Sequence, residues 1–202
     1  MNPIKSNELM AQERILLEAI RNPTKFAYQM RQDEKKSIDW FVNRLRKVRA
    51  KENKHFSGGA GSGNSSPMIG HMYLFSYDPK TKDRLPYWDA HPLVIPIEYY
   101  NDGFLGLNLH YLHPMMRAKL LQVLIHNYAV AGPHIQYLRV SYDQLKSLSK
   151  TVHVKSTVKR YLYSHMRQRF QRIPPTEWTN AIMLPLQKFV GASATAVWRK
   201  SE

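Results

Sequence analysis

The alternation of apolar and polar residues between positions 68 and 112 predicts strands joined by tight turns. Residues 72–77 and 93–100 are rich in aromatic and large aliphatic side chains, a composition typical of strands. Pro96 interrupts the second of them, and because proline cannot donate to a ladder, we expect that strand to lie at a sheet edge or to carry a bulge. The tripeptide Asn-Asp-Gly at 101–103 then predicts a hairpin turn with its glycine at a positive φ.

A third strand is predicted over residues 104–112, returning beside the second. Its side chains alternate between an apolar set and a small or polar set, as in a strand with one buried face. The first set comprises Leu105, Leu107, Leu109 and Tyr111, and the second comprises Gly106, Asn108 and His110.

A helix is predicted over residues 114–127, since proline is favoured at the first helical position. Its apolar face comprises Met116, Leu120, Val123 and Leu124. Arg117 and Lys119 fall near the opposite side. We therefore predict an α+β fold, an antiparallel sheet packed with amphipathic helices, in which this helix covers the leucine face.

Residues 1–56 predict a helical N-terminal arm made of two amphipathic helices. Ser6 is placed to cap the first helix and Thr24 to cap the second, which extends to about residue 51. Residues 57–67, SGGAGSGNSSP, predict a flexible linker, because Gly and Ser pack poorly and lose much entropy on ordering. The predicted organisation is an arm (1–56), a linker (57–67) and an α+β domain (68–202).

Beyond the central helix, the pattern predicts a strand over 135–142, a short helix and a longer helix over 156–172. The apolar face of the longer helix comprises Val158, Leu162, His165, Met166 and Ile173. Arg160 and Arg167 fall on the opposite face, whereas ideal spacing puts Arg169 inside the apolar stripe.

The last part of the chain is less regular. Residues 178–186 fit a closing strand or a short helix, and we favour the strand. Trp198 favours a C-terminal tail that docks on the domain, with a loose basic tail as the alternative.

The balance of charged residues indicates the kind of partner that the protein binds. The chain has 30 Lys and Arg against 15 Asp and Glu, a net charge of +15 and a pI near 10.0. Such an excess indicates a polyanionic partner, with nucleic acid as the first candidate, although a basic surface can also serve solubility alone.

The basic residues concentrate in residues 146–172, which contain no Asp or Glu. A run of one sign attracts phosphates at long range. We predict DNA contacts for Lys150, Lys155, Lys159, Arg160, Arg167, Arg169 and Arg172. Arg160 and Arg167 are the best candidates because helix periodicity sets them away from the apolar stripe. Of the interleaved aromatic residues, we expect Tyr161 and Phe170 in the core and leave Tyr163 open.

The sequence lacks recognisable patterns for catalysis, a metal or a cofactor. His110 and His113 have no further His or Cys at finger-like spacing, which favours structural or solvent-facing roles. A metal-dependent nuclease needs clustered carboxylates, and no lysine stands two residues after Glu98 to complete such a pattern. Turn formers at charged hairpin tips are expected to be Asp78, Asp83 and Asp89. We predict a protein that is not an enzyme and holds no metal or cofactor.

The sequence also bears on compartment. There is no Cys, so disulfides are excluded and the redox compartment is left open. The first 14 residues lack the apolar core of a signal peptide, and no run of about 18 apolar residues occurs. We expect a soluble, unexported protein without a membrane partner.

Four segments occur in a fixed order: MYLFSYDPKTKDRLPYWDAHPLVIPI, DGFLGLNLHYLHPMMRAKLL, VKRYLYSHMRQRFQRI and EWTNAIMLPLQKF. Together they resemble the DNA end protector proteins of large contractile-tailed bacteriophages related to the T-even group. The resemblance covers about residues 68–198, is most specific at GFLGLNLHYL, and does not extend to the arm.

The resemblance implies a minor virion protein on the termini of the packaged linear double-stranded DNA. Such a protein protects the ends from host exonuclease after injection and is needed to complete the head. Its implied partners are DNA ends and other virion proteins of the head-to-tail region, with the N-terminal arm as a candidate contact. It would occur in the virion, and in the host cytoplasm during assembly and after injection. The alternative is a purely structural neck, tail or baseplate component without DNA-end activity.

Limited proteolysis tests the predicted linker. Cleavage within residues 57–66 should leave a folded fragment that begins near residue 67, because unstructured Gly/Ser segments are preferred protease sites. Mass spectrometry of the fragments identifies the cut, and circular dichroism tests their folding. A linker that resists the protease would show instead that the arm packs firmly on the domain.

Overall fold

The computed structural model describes residues 67–131, 152–167, 170–173, 177–183 and 185–200, together with single positions in the arm. Those positions are Arg14, Leu17, Glu18, Ile20, Arg21, Asn22, Thr24, Lys25, Asp39 and Asn43. Only the backbone is described at 123–131, 152–153 and 180. The predicted strand at 135–142, the short helix after it and the linker at 57–66 lie outside the described residues.

A five-stranded antiparallel sheet forms the centre of the described fold. The strands are β1 (Met72–Leu74), β2 (Trp88–Asp89), β3 (Leu93–Tyr100), β4 (Gly103–Asn108), β5 (Val158–Leu162), β6 (Gln171–Ile173) and β7 (Phe189–Val190). The five-stranded sheet has the order β5-β4-β3-β1-β6, and β2 pairs with β7 in a second, two-stranded sheet.

Four described helices accompany the sheets and complete an α+β fold. They are α1 (Pro114–Ala131), α2 (Val152–Lys155), α3 (Trp178–Met183) and α4 (Ala194–Arg199). Short 3-10 turns occupy Lys82–Arg84, Leu109–Tyr111 and Tyr163–His165. In the part of the chain that the structure describes, no helix has both the length and the apolar character needed to cross a bilayer.

The prediction for the strand that contains Pro96 is confirmed in its bounds and in its bulge. The register of β3 against β4 shifts between Pro96 and Glu98, and this irregularity accommodates the missing N–H donor. The alternative of an edge position is wrong, because β3 pairs with β1 on one side and with β4 on the other.

Both faces of the five-stranded sheet are covered, so the prediction of a half-buried third strand is wrong. One face carries an aliphatic cluster that includes Ile95, Leu107 and Leu121 of α1. The other carries an aromatic cluster, in which Phe104 and Tyr161 stack with ring centroids 5.4 Å apart. The small and polar set of the third strand is buried as well: Gly106, Asn108 and His110. The strand is also shorter than predicted, since β4 ends at Asn108 and a 3-10 turn follows.

The connection between β5 and β6 closes the aromatic face. Met166 forms an isolated bridge with Tyr77, and Phe170 packs on Phe75 with ring centroids 5.1 Å apart. Tyr161 is buried and Phe170 packs against the same cluster, which confirms their expected core positions. Tyr163, left open by the sequence, is half-buried against Phe104.

The helix predicted over 156–172 is wrong. This stretch forms β5, the turn Tyr163–His165 and β6 instead. All five residues of β5 are paired with β4, from Val158 opposite Leu107 to Leu162 opposite Gly103. Long-range pairing therefore overrides a local spacing that suited a helix.

The favoured strand over 178–186 is also wrong, because residues 178–183 form α3. Trp178 is buried in the aliphatic cluster, and its indole N–H donates to the Ile173 carbonyl at 2.9 Å. The docked C-terminal tail is confirmed. Ser193 caps α4 by accepting from the Ala196 N–H at 3.3 Å, and Val197 is fully buried.

The N-terminal arm is described only at single positions. Leu17 and Ile20 are helical there, and Ile20 packs against the aliphatic cluster. The remaining residues of the two predicted arm helices lie outside the described part, so the helical arm and the boundary at 57–67 stay predictions.

Gly103 is required by close packing rather than by its backbone conformation. The described glycines with a positive φ are Gly70 and Gly191, so the predicted reason for glycine at 103 is wrong. A Cβ at Gly103 would lie 1.9 Å from the Tyr161 carbonyl oxygen, because β5 pairs directly against this end of β4.

Gly103→Ala should lower the free energy of unfolding by about 1–3 kcal/mol, and Gly103→Val by at least as much, since β5 must move away to admit any Cβ. Urea unfolding measures the loss. Asn101→Ala in the same turn is the control, and as an exposed substitution it should stay within about 0.5 kcal/mol of the parent. Unchanged stability of Gly103→Ala would contradict the close approach of β5.

Candidate nucleic-acid interface

The predicted DNA contacts do not share one helix face. Lys155 ends α2, Lys159 and Arg160 lie on β5, and Arg172 lies on β6 at the opposite edge of the five-stranded sheet. Arg167 lies in the connection between β5 and β6. Lys150 and Arg169 are outside the described residues. The candidates are therefore spread over two sheet edges and the segment that joins them.

Arg160 forms a compact unit with the turn between β3 and β4. Its guanidinium lies 2.5 Å from the Asp102 carboxylate and 4.3 Å from the centroid of the Tyr100 ring. The side chains of Arg160 and Asp102 are 45% and 62% exposed, so the ion pair itself is worth little in water. Its main effect is to orient the arginine over the tyrosine.

Arg167 is paired in a similar way with Asp78. The guanidinium donates to one carboxylate oxygen of Asp78, and the Lys82 ammonium lies 3.2 Å from the other. These hydrogen bonds, from Arg167 first and then Lys82, lower the pKa of Asp78. The Arg167 backbone N–H also donates to the Ser76 carbonyl at 3.0 Å, which anchors the connection at this point.

Arg172 and Lys159 have less ordinary surroundings. Arg172 lies 3.1 Å from His71 Nδ1, and burial, followed by the Arg172 charge, lowers the pKa of His71. A neutral His71 can accept this hydrogen bond. Lys159 lies 4.3 Å from the centroid of the Tyr111 ring, and burial lowers its pKa. Lys159 is thus half-buried on an aromatic ring, while Arg172 and Lys155 remain exposed.

Asp89 and His110 form a buried pair. Its two residues could make an acid–base dyad, but a substrate has no access to them. His110 Nδ1 lies 2.6 Å from Asp89 Oδ2, and the two side chains are 0% and 1% exposed. The amide of Asn108 also donates to Asp89, at 3.1 Å. A substrate cannot reach groups at this depth, so the pair is structural. The expectation that Asp89 sits at a hairpin tip is wrong.

No group of three or more His, Asp or Glu side chains capable of holding a metal occurs among the residues described. His110 also has one buried nitrogen, Nε2, for which no described residue is a hydrogen-bond partner. Its other nitrogen donates to Asp89, and burial lowers the pKa of His110 despite the neighbouring carboxylate. The imidazole is therefore neutral at neutral pH, as a structural donor.

The predicted position of Arg117 is wrong, since its side chain is fully buried rather than opposite the apolar face. It donates to the carbonyl oxygens of Leu112 at 2.8 Å and His110 at 3.1 Å, and to the Gln187 amide oxygen at 3.3 Å. Burial lowers its pKa to about 9. The available signal was its spacing of three and four residues before Leu120 and Leu121, which are both buried.

Tyr100 is an exposed residue of this region that the sequence analysis did not single out. It lies at the end of β3 and is 37% exposed, beside Arg160. The signal in the sequence was an aromatic residue directly before a tight turn, where a strand leaves the core. Exposed aromatic and basic groups together suit nucleic-acid bases and phosphates.

Comparison with known proteins gives one family. The model of the Phage T4 terminal DNA protecting protein family matches residues 5–201. This match includes the N-terminal arm, so the view that the arm lies outside the resemblance is wrong. No curated protein and no solved structure matches the chain.

Three buried or half-buried histidines should make the fold sensitive to mild acid. Burial lowers the pKa of His71, His91 and His110 below the ordinary value of 6.5. The unfolded chain then binds more protons than the folded chain as the pH falls below about 6.5, so stability is full above this pH and is lost below it.

Urea unfolding between pH 7.5 and 5 measures this loss. His110→Asn keeps a donor near Asp89 but cannot titrate, so its stability should fall less steeply with pH than that of the parent. Asn101→Ala, an exposed substitution that removes no titratable group, is the control and should keep the parental slope. A His110→Asn variant with the parental slope would show that His110 does not contribute.

Proposed function

The chain belongs to the Phage T4 terminal DNA protecting protein family, and from this membership we propose that it binds the ends of linear double-stranded DNA and shields them. The match over residues 5–201 is the observation that carries the proposal. The formal net charge of +15 supports it, because cationic surfaces gain affinity for DNA by releasing condensed counterions.

We further propose that the protein acts in the virion and in the infected host, where bound ends resist host exonuclease. The same terminal position on the genome gives it neighbours in the head-to-tail region and a part in head completion. The N-terminal arm is the proposed contact with those neighbours, since an amphipathic helix pair needs a surface on which to bury its apolar stripe.

The proposed DNA contacts are the basic residues of the segment 146–172: Lys150, Lys155, Lys159, Arg160, Arg167, Arg169 and Arg172. Arg160 and Arg167 remain the best candidates, for a reason different from helix periodicity. Both guanidinium groups are exposed, and both are already oriented by a carboxylate of the same chain. Exposed ion pairs of this kind exchange partners at little cost, so a phosphate can replace either carboxylate.

Binding to linear DNA should weaken with salt in proportion to the phosphates contacted. About five contacts predict a slope of log K against log salt of roughly −4 to −5. Arg160→Ala combined with Arg167→Ala should flatten this slope by about two and shorten exonuclease protection of a linear fragment, with little change in melting temperature. Fluorescence anisotropy over a salt series and timed exonuclease digestion provide the two readouts.

Lys119→Ala combined with Lys188→Ala is the matched control, because it removes the same charge from two exposed positions outside the segment 146–172. It should lower affinity less and leave the protection time near that of the parent. If the two double variants lose the same DNA affinity, binding depends on the net charge of the protein and not on Arg160 and Arg167 in particular. Unchanged DNA affinity in the arginine variant, with loss of a virion contact, would favour the purely structural component instead.

A further inference from the structure

Phosphate contacts alone cannot distinguish a DNA end from the middle of a duplex, because the backbone is similar in both places. Besides its strand termini, an end exposes the flat face of its terminal base pair, whereas every internal pair is covered by its neighbours. A flat protein group that stacks on that face would therefore distinguish an end from the middle of a duplex. Aromatic rings and arginine guanidinium planes stack on bases in this way.

The turn between β3 and β4 presents such a group. Tyr100 is the last residue of β3 and is 37% exposed, whereas Tyr73 and Tyr161 of the aromatic cluster are 6% and 3% exposed. The Arg160 guanidinium lies 4.3 Å from the centroid of the Tyr100 ring and is held by Asp102 in the same turn. The ring and the guanidinium thus form one unit with its position fixed by β3, β4 and β5.

The adjacent Tyr99 is less suitable, although it is 44% exposed. Its hydroxyl donates to the Pro67 carbonyl at 2.5 Å and accepts from the Ile69 N–H at 3.0 Å. These bonds tie Tyr99 to the segment before β1. In addition, alternation along β3 directs it to the sheet face opposite Tyr100.

We propose that Tyr100, together with Arg160, stacks on the terminal base pair of linear double-stranded DNA and so supplies the preference for ends. The proposal rests on the proposed function and adds the chemical feature that is recognised. Arg160 has two roles in this proposal: its guanidinium plane packs on the Tyr100 ring, and its charge binds the terminal phosphates. The neighbouring contacts of the segment 146–172 then add affinity without end preference.

The test compares two DNAs with the same duplex sequence: a blunt linear fragment, and a dumbbell in which hairpin loops cover both terminal base pairs. The full-length parent should bind the linear fragment more tightly. Tyr100→Leu keeps an apolar side chain but no ring, and it should lower affinity for the linear fragment by about 5- to 150-fold, the range of one base–aromatic stack. Its affinity for the dumbbell should stay at the parental value.

Tyr100→Phe keeps the ring and should bind both DNAs as the parent does. A direct readout is 2-aminopurine fluorescence. The parent should quench the probe in the terminal base pair but not in a central one, and Tyr100→Leu should not quench it in either position. Melting temperatures of both variants verify that the fold is intact.

The outcomes separate the stacking proposal from the function on which it rests. Equal affinity of the parent for linear and dumbbell DNA would overturn end binding and stacking together. A parent that prefers the linear fragment, with a Tyr100→Leu variant that keeps this preference, would overturn stacking alone. The stacking proposal would fail equally if Tyr100→Leu weakened binding to both DNAs by the same factor.

Discussion

The buried guanidinium of Arg117 is the constraint on which the described fold depends. A charged group without solvent must have its donors satisfied, and here carbonyl and amide oxygens accept from it. Those acceptors belong to the turn between β4 and α1 and to the segment that leads into β7. The His110 carbonyl accepts from Arg117 and, at 2.9 Å, from the indole N–H of Trp198 on α4. One side chain of α1 therefore joins the segment before β7 to the turn that follows β4, and its loss would remove the donor that the Leu112 carbonyl and the Gln187 amide oxygen accept from.

This construction limits where a large ligand can bind. Aliphatic and aromatic clusters cover the two faces of the five-stranded sheet, so neither face is open to DNA. Within the described part of the chain, the edges of this sheet, the turn between β3 and β4 and the connection between β5 and β6 carry the exposed Arg160, Arg167 and Arg172. The turn between β3 and β4 is held firmly because β5 approaches Gly103 too closely to admit a Cβ. Tight packing beneath the turn is thus the physical reason that Tyr100 and Arg160 have a fixed relative position.

The sequence predicts those parts of the fold that depend on local chemistry. Pro96 and the tripeptide at 101–103 define β3 and its turn, and Pro114 marks the start of α1. Prediction from the sequence fails where contacts with distant residues determine the secondary structure. Residues 158–162 have an apolar spacing compatible with a helix, but pairing with β4 makes them a strand. The predicted position of Arg117 opposite the apolar face is wrong, although its spacing from Leu121 is that of residues on one helix face. The absence of acidic residues from 146–172 indicated the candidate DNA segment. It could not indicate Tyr100, because only the fold brings that ring beside Arg160.

The ion pairs of the interface explain how a basic protein can present arginines without leaving them disordered. Arg160 and Arg167 each bind a carboxylate of their own chain, which lowers the entropy cost of positioning a long side chain. An exposed pair of this kind contributes little to stability, so little is lost when it opens. A DNA phosphate also offers oxygens that accept from a guanidinium, and its neutralisation releases counterions from the duplex. On the proposed function, DNA phosphates would replace Asp78 and Asp102 as partners of the two arginines. The two carboxylates would then hold the guanidinium groups in place until DNA binds.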